Sequence, residues 1–163
     1  MPETNRVWVT DITYIRTHEG WRFLSAVLDL FSRQVIGWSM GPRMDRDLAI
    51  NALLMAVWRR QPQSTVMVHS VQGSQFSSYD WQAFLKTHHL QPSKSQHGDC
   101  HGNAVAESSF QLLKRERIRR KTYATHDGAK QDVFDYIEMF YNPKRRHSVS
   151  NRLSPVEYEK QNF

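Results

Sequence analysis

Residues 7–15 read VWVTDITYI, and the reading of this stretch decides the fold. Val7, Val9, Thr13 and Ile15 alternate with Trp8, Thr10, Ile12 and Tyr14. That period of two, rich in β-branched and aromatic side chains, predicts a strand. Asp11 sits at its centre, although aspartate is depleted in strand interiors. A carboxylate among Val7, Val9 and Ile15 costs several kcal/mol unless it is paired or bound to metal. The competing explanation is an acid held by arginine or backbone donors.

Working outward, His18-Glu19-Gly20 is a turn signal. Phe23 to Leu30 is nearly all apolar and reads as a strand buried on both faces. Ser32-Arg33-Gln34 turns the chain again, and Val35 to Met40 is a third strand. Short connections make the three antiparallel. If Asp11 pairs near Ser25, Asp29 lies opposite Val7.

The period then changes. Ile50, Leu53, Leu54, Val57 and Trp58 form one face of a helix, opened by Asp45 or Asp47 and ended by Pro62. Thr65 to Val68 is a fourth strand, laid parallel to an earlier one by the helical crossover. Trp81, Phe84, Leu85 and His88 mark a second helix. Leu90 to Ser95 is a fifth strand or extended segment. A third helix is expected from about Ala104 to Arg119, capped by Asn103. A fourth runs from about Asp127 to Tyr141, burying Val133, Phe134, Ile137, Phe140 and Tyr141, and Asn142-Pro143 breaks it. A short helix can follow Ser154-Pro155. The expected architecture is α/β: a mixed five-stranded sheet, three antiparallel strands then two parallel, flanked by helices.

The chain has 163 residues, 39% of them hydrophobic, enough for one domain with a real core. No apolar run is long enough to span a membrane. The start, MPETNRVWVTD, has no secretory pattern. A lone cysteine, Cys100, excludes an internal disulfide and fits a reducing cytoplasm. The formal charge of +6 suits a polyanionic partner. The clustering of Lys114, Arg115, Arg117, Arg119, Arg120 and Lys121, and of Lys144, Arg145 and Arg146, strengthens that reading.

Two further groups bear on chemistry. On the third predicted helix, Glu107, Gln111 and Lys114 run along the rim of an apolar stripe of Ala106, Phe110 and Leu113. They can face a cleft beside the sheet or stand as a solvated flank. His88, His89, His97, Cys100 and His101 crowd together but match no regular zinc spacing.

TDITYI at 10–15, DLFSR at 29–33, HSVQGSQ at 69–75, NAVAES at 103–108, KRERI at 114–118, YNPKRRH at 141–147 and LSPVEY at 153–158 occur in order along almost the whole chain. Together they resemble the catalytic core of bacterial insertion-sequence transposases, the retroviral-integrase-like enzymes with a ribonuclease-H-like fold. The resemblance implies metal-dependent phosphoryl transfer on DNA, with two aspartates and a glutamate as ligands for Mg²⁺ or Mn²⁺. The last two acids of that pattern have 35 residues between them, and a basic residue follows the glutamate by seven. Asp11 matches the first aspartate, Glu107 the glutamate and Lys114 the basic residue. With positions 72–106 between, the second aspartate falls on Val71. His101-Gly102 also replaces a Trp-Asp pair common in the family.

Metal binding is therefore expected at Asp11 and Glu107 but weakened, and catalysis impaired. No small-molecule cofactor is implied. DNA contacts are expected from Lys114, Arg115, Arg117, Lys144, Arg145 and Arg146, to element ends and target. Self-association and a bacterial cytoplasmic, nucleoid-associated location follow from the same likeness. The chain reads as a core over residues 1–163 with a basic tail from about 142, without the helix-turn-helix region of full transposases. The alternatives are an inactive DNA-binding or assembly remnant of a mobile element, and a ribonuclease H acting on RNA–DNA hybrids.

Overall fold

Five strands build one sheet in the order β3-β2-β1-β4-β5 in the computed structural model. They are β1 (Val7–Thr17), β2 (Gly20–Asp29), β3 (Val35–Gly41), β4 (Val66–Ser70) and β5 (Leu90–Pro92). The structure describes residues 5–70, 79–92, 108, 111–112, 114–115, 122–143 and 153–161. β1, β2 and β3 are antiparallel neighbours, and β4 and β5 add parallel to β1 and to each other. The mixed sheet expected from the sequence is the sheet observed. The third expected helix lies largely outside the described residues.

The β1–β2 register is set by its turn. Thr17 pairs with Gly20 across a two-residue loop, His18-Glu19. Thr17 Oγ1 donates to the Gly20 carbonyl at 2.6 Å and accepts from Glu19 N at 3.1 Å. Loop length fixes pairing, so Asp11 lies opposite Ala26 and Asp29 opposite Trp8. The sequence reading placed them opposite Ser25 and Val7, one residue out, because it left the loop length open.

The strand period sorts two cores. Val7, Val9 and Ile15, with Leu24, Ala26 and Leu28, face Ala129, Val133, Tyr136, Ile137 and Tyr141. Trp8, Val27 and Ile36 face α1 (Arg46–Arg60) and α2 (Tyr79–Thr87) through Ala52, Leu53, Ala56, Trp81 and Leu85. Asp45 caps α1, its side chain accepting from Leu48 N at 3.0 Å. Gln61 ends α1 in the left-handed conformation.

The buried face of α1 corrects the sequence reading. Leu48, Ala49, Ala52, Leu53 and Ala56 are buried, whereas Trp58 is 69% exposed. The reason is Gly37 on β3. A Cβ there would lie 2.2 Å from Ala52 O and 2.8 Å from Ala56 N. The helix backbone rests directly on the glycine, so Ala52 and Ala56 sit against the sheet with Leu48 and Leu53, Ile50 and Val57 pack at the margin, and Trp58 turns outward.

A second correction concerns α3 (His126–Phe134), which runs on into a π-helical stretch, Asp135–Tyr141. Thr125 Oγ1 caps α3 by accepting from Gly128 N. The wider turn, closed by i→i+5 bonds such as Asn142 N to Ile137 O, re-phases the buried side. Tyr136 and Tyr141, five residues apart, bring their rings to 6.0 Å. Tyr136, missed in the sequence, is buried, and Phe134, expected inside, is 42% exposed.

Asn142 then pairs with an edge strand as backbone would. Its Oδ1 accepts from Val35 N at 2.9 Å and its Nδ2 donates to Val35 O at 2.8 Å. This covers part of the open side of β3. The short α4 (Pro155–Gln161) docks by one buried acid, Glu159, which accepts from Ser32 Oγ and from Arg60 Nη2.

Asp29 sits beside that cluster with no exposed surface. Its carboxylate accepts from Asn5 N and Phe31 N, each at 2.9 Å, and Arg60 Nη1 lies 3.9 Å away. Burial pushes its pKa from 3.8 up to about 6, against the lowering pull of those donors and Arg60. The folded state therefore holds an extra proton between the two values. The associated stability is fully present below about pH 4 and lost as pH rises through about 6. A shift of this size corresponds to on the order of 3 kcal/mol. Denaturant midpoints measured from pH 4 to 7 should fall with one proton's slope, and Asp29→Asn should abolish that component. An Asp29 carboxyl titrating near 4 by NMR would contradict it.

Candidate active site

Asp11 occupies the middle of β1 on the face it shares with Val9 and Ile15. Its cross-strand neighbour is Ala26, a small side chain. The carboxylate is partly exposed, and its Oδ1 accepts from Ile12 N at 2.8 Å. β4 pairs with β1 from Val7–Met67 to Thr10–Ser70. The last described pair, Thr10–Ser70, lies one residue before Asp11. Farther along, Tyr123 meets the same edge, its N–H donating to Arg16 O at 3.1 Å and its carbonyl accepting from His18 N at 2.8 Å.

Of the other expected site residues, Lys114 is partly buried and Arg115 exposed, both in a π-helical turn. Val71, Glu107, Arg117, Lys144, Arg145 and Arg146 lie outside the described residues, so Asp11 is the one candidate ligand the structure positions. Among the described residues no group of three or more His, Cys, Asp or Glu could hold a metal ion.

Two other acids weighed as substitutes at position 71 have places of their own. Asp80, in the first turn of α2, pairs with Arg46 at 2.7 Å. Asp29 lies opposite Trp8, three residues from Asp11, or roughly 10 Å along the strand. Of the histidine-cysteine group, His88 stacks on Phe84 with ring centroids 4.3 Å apart. His89 is exposed with a φ of 58°. His97, Cys100 and His101 fall outside the described residues.

One feature of this region was missed in the sequence. Tyr14, Arg16 and Trp21 cluster on the β1–β2 hairpin with both rings more than half exposed. The signal available was the alternation itself, which sets Tyr14 and Arg16 on one face.

Two family models match this chain, each described as an integrase core domain, over residues 2–100 and 107–163. The chain belongs to the integrase core domain family. The transposase InsF for insertion sequence IS3A of Escherichia coli is 49% identical over 159 residues, 98% of this integrase core and 55% of that protein. The transposase for insertion sequence element IS904 of Lactococcus lactis is 42% identical over 158 residues, 97% of this chain and 62% of its own. This integrase core thus spans little more than half the length of such relatives.

Solved structures agree on the fold. The HTLV-2 integrase catalytic core domain in complex with magnesium aligns with a TM-score of 0.71 at 16% identity, over 96% of this chain and 97% of that one. The BIV integrase catalytic core aligns with a TM-score of 0.65 at 14% identity, over 96% and 95%. The five-stranded mixed sheet with flanking helices is the ribonuclease-H-like fold of those cores. Among the described residues no helix is long and apolar enough to cross a membrane.

Proposed function

We propose that this chain is the catalytic core of an insertion-sequence transposase whose DNA-joining chemistry is impaired by valine at position 71. The observation that carries this reading is the placement of Asp11 one residue beyond the last described β1–β4 pair, Thr10–Ser70, in a chain 49% identical to a transposase. Period two sets Met67 and His69 beside Val7 and Val9. One further residue in that register would bring position 71 level with Asp11 and on its face.

The reaction is phosphoryl transfer. Water cleaves a phosphodiester at an element end, and the freed 3′-hydroxyl attacks a phosphodiester of the target. A new P–O bond forms, the old one breaks, and the leaving 3′-oxygen takes up a proton. Divalent cations such as Mg²⁺, held between carboxylates, would supply Lewis acidity to the attacking and leaving oxygens. Asp11 and Glu107 offer the hard oxygen donors such cations need; Val71 offers none. The donor set therefore fits weak metal binding. Lys114, Arg115, Arg117, Lys144, Arg145 and Arg146 would hold backbone phosphates, and Lys114 would act as a point charge.

A second reading has its own support in Val71: a non-catalytic remnant that binds DNA or assembles with active copies. Titrations of duplex DNA at several salt concentrations separate both from a non-DNA role. If four to six cations engage phosphate, log K should fall with log salt with a slope of roughly −4 to −5. Absence of binding at low salt would defeat the transposase reading and leave of the second only assembly with active copies. Joining of a 3′-hydroxyl end with Mg²⁺ or Mn²⁺, slow here and faster in Val71→Asp, favours the impaired transposase. No joining by either protein favours the remnant.

A further inference from the structure

From the β1–β2 hairpin we infer a stacking platform for unpaired DNA bases, built by Tyr14, Trp21 and Arg16. It rests on the proposal that this core acts on DNA. Beyond the row Tyr14–Phe23–Gly41, β3 has ended, and the last described β1–β4 pair is Thr10–Ser70. Residues 15–22 extend past β3, with Tyr123 docked on the β1 edge at Thr17 and Ile15 and Thr17 buried on the inner face. On the other face, Tyr14 is 55% and Trp21 53% exposed. Their rings meet edge to face at 5.4 Å, and the Arg16 guanidinium lies 5.5 Å from the Trp21 centroid. A further exposed cation, Arg43, follows two residues beyond Gly41, where β3 ends beside Phe23.

The chemistry selects the ligand. Exposed aromatic rings beside a guanidinium offer π-faces to a base and positive charge to its phosphate. A base inside a duplex has both faces stacked on its neighbours and cannot use them; an unpaired base can. The location suits such a strand. Tyr14 lies three residues from Asp11, roughly 10 Å along β1 but on its opposite face. A strand with a phosphate near Asp11 would reach the rings by crossing from one face of β1 to the other. Cross-strand packing explains why Tyr14 and Trp21 touch. It also sets Arg16, the partner of Trp21, over that ring; what the pairing leaves available is the exposure of both rings, each more than half open to solvent.

The test compares a blunt duplex with the same duplex carrying a short unpaired thymidine tail, by anisotropy titration. The tailed DNA should bind more tightly. Trp21→Ala combined with Tyr14→Ala should weaken it about tenfold or more while leaving blunt binding unchanged. Trp21→Phe, which keeps a ring, should retain most of the difference. Thermal melting checks that these exposed substitutions leave the fold intact. Equal affinity for both DNAs, or a loss shared by both, overturns the platform while leaving the DNA-enzyme reading standing. A change of oligomeric state without a change in tail affinity also overturns it and assigns the rings to self-association. Failure of the unaltered protein to bind either DNA removes the underlying reading as well.

Discussion

Replacing Val71 by aspartate is expected to raise Mg²⁺-dependent joining of a 3′-hydroxyl end by about 10²–10³-fold, the equivalent of roughly 3–4 kcal/mol at the transition state. A carboxylate there would supply the oxygen donor that valine lacks, beside Asp11 and Glu107. The same substitution should change stability in a metal-dependent way. Without metal, a second carboxylate near Asp11 adds like-charge repulsion, so Val71→Asp should melt lower than the parent chain. With Mg²⁺ at about a hundred times its dissociation constant, binding to the folded state adds about 2.7 kcal/mol. For a chain of this size that is about 5–10 °C in melting temperature. The parent should shift far less. Melting curves with and without Mg²⁺, run beside the joining assay, read both effects. A Val71→Asp protein that neither joins DNA nor gains stability from Mg²⁺ would show that position 71 is not a ligand position.

Gly37→Ala should be the most damaging single methyl in the described core. The new Cβ would lie 2.2 Å from Ala52 O and 2.8 Å from Ala56 N. Both are backbone atoms of α1, so no rotamer change relieves the overlap and the helix must lift from the sheet. Overpacking of this kind costs about 3 kcal/mol or more. The melting temperature should then fall by about 6–12 °C. Gly20→Ala is the control. It has a φ of +118° and nothing within 4 Å of an added Cβ. Its cost is backbone strain alone, about 1–3 kcal/mol. A Gly37→Ala protein melting within about 2 °C of the parent would mean that α1 sits farther from β3 than the contact with Ala52 requires.

Legibility in the sequence followed how local each determinant is. Strand period two and the capping of α1 by Asp45 are encoded within a few residues, and they carried the order of elements and the parallel placement of β4. The family match rested on motifs spread along the chain, and it supplied the expectation of a missing aspartate at position 71. Positions that depend on a partner element were misread. The apolar spacing of Ile50, Leu53, Leu54, Val57 and Trp58 suggested a buried stripe; Leu53 is buried and Ile50 and Val57 pack at its margin, yet Gly37 draws the alanine face inward and leaves Trp58 exposed. Spacing by 3.6 put Phe134 inside, yet the π turn buries Tyr136 instead.

The sequence by itself determined the alternation of β1, the antiparallel-then-parallel plan of the sheet, and the absence of an oxygen donor at position 71. These follow from side-chain chemistry and local periodicity. Only the tertiary structure decided that Asp11 lies opposite Ala26, that α1 packs on a glycine, that Asp29 is fully buried, and that Tyr14 and Trp21 share an exposed face. Each of these depends on which distant segment arrives next to a residue, and burial, charge and packing are properties of that meeting.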